Sequence, residues 1–244
     1  MELLMNDTII ITDLTRFKKE GKVCIAGYSQ QQRKIIRPLF SEQMTDAYLS
    51  QKDCERYNIL PGTRLRGDFE SMNHSAPHNE DHLVRGTLEV LKPATKEEFL
   101  AVLQETSNAT LSAGFGCAVD SKVIPINVKP ICSIITLSVA PESIQLVPDY
   151  YNNDIRTLKV KLNISALPPD TILSLTDLGF FRYAFNFISS NSIDELNRFL
   201  RKQDYVYLRI GLSRPYQVKE RNGYWMQVNG IYTFLDYCKE IRSY

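Results

Sequence analysis

No two of the five cysteines, at positions 24, 54, 117, 132 and 238, stand at the C-x-x-C spacing of a zinc or redox site. An odd, scattered set fits reduced thiols and a cytosolic compartment. Cys24 and Cys132 lie inside apolar strand-like runs, where cysteine acts as a small hydrophobe. The opening Met-Glu-Leu-Leu-Met-Asn-Asp lacks the basic and apolar regions of a signal peptide. No run approaches the roughly 20 apolar residues of a membrane span. The expectation is therefore a cytoplasmic protein with no membrane partner. Excess positive charge is also missing: 29 Lys and Arg against 28 Asp and Glu leave a formal net charge of +1. Proteins that grip duplex DNA by backbone charge are usually more basic, so any nucleic-acid site here must be local or rely on stacking. Neither G-x-G-x-x-G nor a Walker A sequence occurs, and strands do not alternate with helices, which argues against Rossmann and P-loop folds.

What the chain has is short strands. Thr8–Asp13, Lys22–Tyr28, Arg33–Phe40, Thr63–Phe69 and Val84–Leu91 are β-branched or alternating runs separated by polar turns. The second half repeats the style with Ile131–Val139, Ser143–Val147, Thr157–Ile164 and a terminal hairpin. About three helices are inserted. One follows the capping box Thr95-Lys-Glu-Glu98, one spans Asp177–Ile188, and one follows a second capping box, Ser192-Ile-Asp-Glu195. The fold class is thus mostly β with inserted helices, α+β, each half holding the four or five strands of a small barrel. Asn108–Val123 is irregular and marks the boundary between domains at 1–108, with an inserted loop and helix, and 124–244.

The terminal hairpin is the most informative stretch. Val206, Leu208, Ile210 and Leu212 alternate with Tyr205, Tyr207, Arg209 and Gly211. On the second strand Met226 and Val228 join the apolar face, leaving Trp225, Gln227 and Asn229 beside the tyrosines and Arg209. A sheet face of this composition suits stacking on bases and hydrogen-bonding to their edges. It also suits ordinary packing under a helix.

All three histidines fall in one segment, His74-Ser-Ala-Pro-His78-Asn-Glu-Asp-His82. Metal binding is one reading, but Pro77 opposes the helix that would align the three rings, and no distant ligand completes a shell. No metal or cofactor is expected. A loop that contacts phosphate or base is the favoured reading. Arg37, Arg66 and Arg214 fall on strands or at strand ends, and Arg37 and Arg214 each precede a proline that stops a strand. Such arginines can track a phosphate backbone. Alternatively they make internal ion pairs with Asp13, Asp68 or Asp177.

Lys-Val-Cys-Ile-Ala-Gly-Tyr with Ile-Ile-Arg37-Pro38, Pro77-His78 with Glu80-Asp81-His82, the Leu-Thr-Asp177 element, and the closing Leu-Arg-Ile-Gly-Leu-Ser-Arg-Pro-Tyr…Trp-Met-Gln-Val-Asn-Gly-Ile-Tyr together resemble the dual OB-containing domain family, in order and spacing, from about Ile9 to Tyr232. The resemblance implies two tandem OB-like barrels and a prokaryotic protein, often found near mobile-element or defence genes. It carries no catalytic mechanism, and the reading leans away from an enzyme without settling it. The function expected is nucleic-acid binding, of single-stranded DNA or RNA, as an accessory component of such a system. Arg37, Arg66, His78, His82, Tyr207, Arg209, Arg214, Trp225 and Gln227 are the candidate contacts. The alternatives are a protein-interaction subunit of a defence complex, and a nucleotide sensor or enzyme using His74, His78 and His82 with Asp177.

Overall fold

The alternating runs of the first ninety residues wind into a closed barrel. In chain order the elements are β1 (Met5–Arg16), β2 (Lys22–Ser29), β3 (Lys34–Leu39), β4 (Leu49–Ser50), α1 (Gln51–Arg56), β5 (Arg64–Ser71) and β6 (Asp81–Leu91). β1 pairs antiparallel with both β2 and β5, β2 with β3, and β5 with β6, while β3 runs parallel to β6. The order β1-β5-β6-β3-β2 therefore returns to β1 and leaves no open edge. Inward residues of these strands, among them Ile9, Ile11, Val23, Ile25, Ile36 and Leu65, form one core. α1 sits between the third and fourth barrel strands and opens on a reciprocal cap between Ser50 and Asp53. The computed structural model describes residues 5–17, 21–72, 76–151, 154–164, 167–169, 171–189, 193–234, 237 and 241.

α2 (Lys96–Glu105) begins at the capping box expected from the sequence: Thr95 Oγ1 accepts from Glu98 N, and Glu98 reaches back to Thr95 N. The irregular stretch that follows holds β7 (Ser107–Asn108), α3 (Leu111–Phe115) and β8 (Val123–Pro125). Then come β9 (Ile134–Val139), β10 (Ile144–Tyr151), β11 (Asp154–Leu162), β12 (Thr171–Leu175), α4 (Leu178–Ser189), α5 (Ile193–Arg201), β13 (Tyr205–Leu212), β14 (Tyr216–Val218) and β15 (Arg221–Phe234). Ser192, of the second predicted capping box, lies outside the described residues.

The second sheet repeats the first barrel's plan. β10 pairs with β11, β11 with β12, β12 runs parallel to β15, β15 pairs with β13, and β13 pairs with β9. β9 and β10 are joined by one 3-10 turn, Pro141–Ser143. Together they act as a single kinked strand, pairing with β13 on one side and β11 on the other. The ring of strands is thus completed through the chain itself. As in the first barrel, the helices lie between the third and fourth strands, and the third strand is parallel to the fifth. Leu137, Ile144, Val160, Leu173, Val206, Leu208 and Val228 face one interior.

The two barrels pack through a third core, made of Ile10, Tyr28, Phe99, Val102, Leu103, Tyr207, Tyr232 and Phe234. This corrects the two-faced hairpin. β13 is buried on both faces beyond Tyr205, because β1 and α2 cover the side carrying Tyr207 and Arg209. The pairing of the hairpin is as the alternation indicated, with Ile210 opposite Val228 and Leu212 opposite Met226, and a bulge at Asn229 shifts the register beyond. Pro38 is also corrected: it lies within β3 and does not end it. β3 pairs with β2 only as far as Ile36, so the missing N–H falls on an unpaired side. Among the described residues, no helix is long and apolar enough to cross a membrane.

Candidate functional site

The barrels meet over a set of buried charges. A bulge at Thr12 in the β1–β2 pairing brings Asp13 to the seam. There Arg209, fully buried, donates from Nε to Asp13 Oδ2 at 3.0 Å and pairs from Nη2 at 2.9 Å. Its Nη1 donates to Thr136 Oγ1 at 2.7 Å, Thr12 Oγ1 donates to Asp13 Oδ2 at 2.7 Å, and Tyr232 donates to the Thr12 carbonyl at 2.6 Å. Arg209, a predicted ligand contact, is thus engaged in an internal ion pair.

A second cluster grows from the parallel pairing of β3 and β6. Arg37 Nη1 is 3.3 Å from Asp81 Oδ1 and Nη2 is 3.4 Å from Glu80 Oε2, and Nη2 also donates to Ser133 Oγ of the second barrel. Glu80 accepts from Ser133 N at 2.7 Å and Ile134 N at 3.1 Å, holding the start of β9 against the first barrel. Asp81, entirely buried, also pairs with Arg214, which follows β13. Asp81 therefore sits between two guanidiniums from different barrels. His78 Nδ1 accepts from Arg37 Nη1 at 3.5 Å, and its ring meets Tyr224 edge-on. His82 Nδ1 donates to the Glu80 carbonyl at 2.8 Å, and burial lowers the pKa of the ring below its ordinary value.

Above these charges lies a cleft of about 300 Å³ between the barrels. Arg37, His78, Arg214 and Gln227 of the predicted contacts line it, together with Phe17, Tyr48, Tyr216 and Asn229. Phe17 and Tyr48 pack ring to ring at 4.8 Å on the first barrel's lip. On the second barrel's lip Tyr216 stacks on Trp225 at 5.5 Å and 22°, and Trp225 Nε1 donates to the Tyr216 carbonyl. Trp225 and Gln227 also line an adjoining hollow with Lys122, Lys159, Ile172 and Ser174. Cys24, on the cleft wall, has its thiol pushed up to about 11, chiefly by burial.

Tyr207 lies in the core between the barrels, and Arg209 lies in the seam. Arg66 is on β5, paired with Glu89 at 3.3 Å. Asp177 serves the backbone: it caps α4 by accepting from Phe180 N at 3.1 Å and also accepts from Ile231 N at 3.0 Å. His74 lies outside the described residues, and among those described no group of three or more His, Cys, Asp or Glu is placed to hold a metal. Asn229 belongs to the polar hairpin face read from the alternation, whereas Phe17 and Tyr48 were not indicated as contacts. Phe17 follows β1 within a basic segment and Tyr48 lies in a polar stretch without period, so neither position carried a signal; Tyr216 stood in the quoted Arg-Pro-Tyr but outside the alternating run.

A comparison with curated proteins finds no match. A family model described as a dual OB-containing domain matches residues 8–231. That span takes in both barrels and the seam between them, and the chain belongs to the dual OB-containing domain family.

Proposed function

We propose that the protein binds single-stranded nucleic acid, DNA or RNA, where β11, β12 and β15 lie side by side next to the cleft. The observation that carries this reading is the stacked Tyr216–Trp225 pair, placed where the cleft and the adjoining hollow meet. Stacking on an aromatic ring is tolerant of sequence, because every base has a π-face. Lys159, Ser174 and Gln227 are lateral neighbours across the three strands. At about 4.8 Å between strands, this row leads from the hollow to the cleft mouth over the length of one or two nucleotides. Lys122, Lys159, which pairs with Asp149 at 2.8 Å, and Arg214, which pairs with Asp81, supply positive charge along it, and Arg37 and His78 stand deeper. OB barrels commonly bind single strands on such a face. A setting in a prokaryotic defence or mobile-element system rests on the family resemblance.

The test is fluorescence anisotropy with labelled single-stranded DNA, single-stranded RNA and duplex DNA over a salt series. With about three cationic contacts, log K should fall with log salt at a slope of about −2 for single strands. Absence of binding to all three would remove this reading in favour of a protein-interaction role for the same aromatics.

A further inference from the structure

We infer that the cleft between the barrels is a capture site for a single unstacked nucleobase, with its phosphate held at Arg214. This deepens the single-strand reading and rests on it only for the source of the base.

The first argument is shape. The cleft is blind. Asp13, Ala26 and Ile134 form its inner wall, and behind them Arg209 and Thr136 have no exposed surface. A continuing strand cannot pass through such a space, whereas about 300 Å³ admits one base.

The second argument is hydrogen bonding. Gln227 and Asn229 sit two residues apart on β15 and both line the cleft. The Gln227 carboxamide has no partner among the described residues. Asn229 is only 4% exposed, and one end of its amide meets Thr176 Oγ1 at 3.0 Å. Whichever way that amide is turned, its other polar atom has no partner among the described residues. The opposite strand makes room for this group: a Cβ on Gly211 would come within 2.1 Å of the Asn229 amide nitrogen. Two carboxamides with idle polar atoms on one wall are suited to the donor and acceptor pattern of a base edge.

The third argument is what surrounds them. The Phe17–Tyr48 pair and Leu212 also line the cleft, offering aromatic and apolar surface to the faces of a base. Arg214, with its side chain 38% exposed, also reaches the Tyr48 hydroxyl as well as Asp81. It is the cation at the mouth, where a phosphate joined to an inserted base would lie.

The experiment is calorimetric titration of the whole chain with AMP and with UMP, and with a single-stranded oligonucleotide carrying one fluorescent adenine analogue. Saturable one-site binding of at least one mononucleotide is expected, weakened roughly tenfold or more by Gln227→Ala and weakened likewise by Tyr48→Ala. Trp225→Ala, which removes a ring outside the cleft, should weaken the oligonucleotide more than it weakens the mononucleotides. A change in analogue fluorescence that Gln227→Ala abolishes identifies a base of the strand as the ligand; mononucleotide binding without it identifies a free nucleotide. If neither mononucleotide binds saturably, and the analogue responds equally in wild type and Gln227→Ala, the inference is overturned, while oligonucleotide binding that persists keeps the single-strand reading.

Discussion

Arg209 and Asp13 stand 196 residues apart in the chain and meet as a two-point ion pair that joins the second barrel to the first. Both are buried, Arg209 completely. Arg209 Nη1 donates to Thr136, and Asp13 Oδ2 also accepts from Thr12. A buried pair of this kind adds little over apolar packing, but removing one member strands the other charge. Its role is to fix how the barrels meet, and so to shape the cleft above it.

Arg209→Ala is therefore expected to cost about 3–5 kcal/mol, measured as a shift in the urea midpoint. Replacing both members, Asp13→Leu with Arg209→Met, should cost much less than the single change. In the wild type, fluorescence of the single tryptophan, Trp225 in the second barrel, and far-ultraviolet circular dichroism should report the same transition. In Arg209→Ala the two are expected to separate as the barrels uncouple.

His82 gives a pH dependence of defined sign. Burial holds the folded imidazole below its ordinary 6.5, so the unfolded chain takes up this proton first as the pH falls. The contribution of His82 is full above about pH 7 and is lost as the pH drops through 6.5 toward the folded value. His82→Asn keeps a donor for the Glu80 carbonyl but does not titrate. Stability measured from about pH 7 to 5.5 should decline less steeply in that variant.

Much of the fold was legible because strands and caps are local signals. The capping box at Thr95 and Glu98 is formed as the sequence indicated, and the cap of α1 at Ser50 and Asp53 carried a similar signal. The site was only partly legible. Period-two alternation separates Tyr207 and Arg209 from Val206 and Leu208, but it carries no information on what covers each face. The covering elements, β1 and α2, come from a hundred or more residues upstream. Arg37, His78, Arg214 and Gln227, named as candidate contacts, are brought to one cleft. Phe17 and Tyr48 were not, because the seam that places them is a tertiary product.

Cysteine reactivity tests the closure of the seam. Burial raises the Cys24 thiol to about 11 and the Cys132 thiol to about 12. At pH 8 only about one Cys24 in a thousand would be thiolate. Iodoacetamide labelling followed by peptide mass mapping should find both residues slower than free cysteine by about a hundredfold or more.

Asp177 is expected to be structural. Asp177→Ala removes the cap of α4 and the acceptor for the buried Ile231 N–H, a loss of about 2–4 kcal/mol. Asp177→Asn keeps an acceptor and should cost less. In either variant, nucleic-acid affinity measured at a temperature where the protein is folded should match the wild type.

Single-strand affinity of the wild type against the Tyr216→Ala, Trp225→Ala double variant tests the central claim most directly. The expected result is a fold unchanged by circular dichroism and an affinity weakened by about 1–3 kcal/mol for each base released from the stack, with duplex DNA bound poorly by both. Equal single-strand affinity in the two folded proteins would contradict the claim.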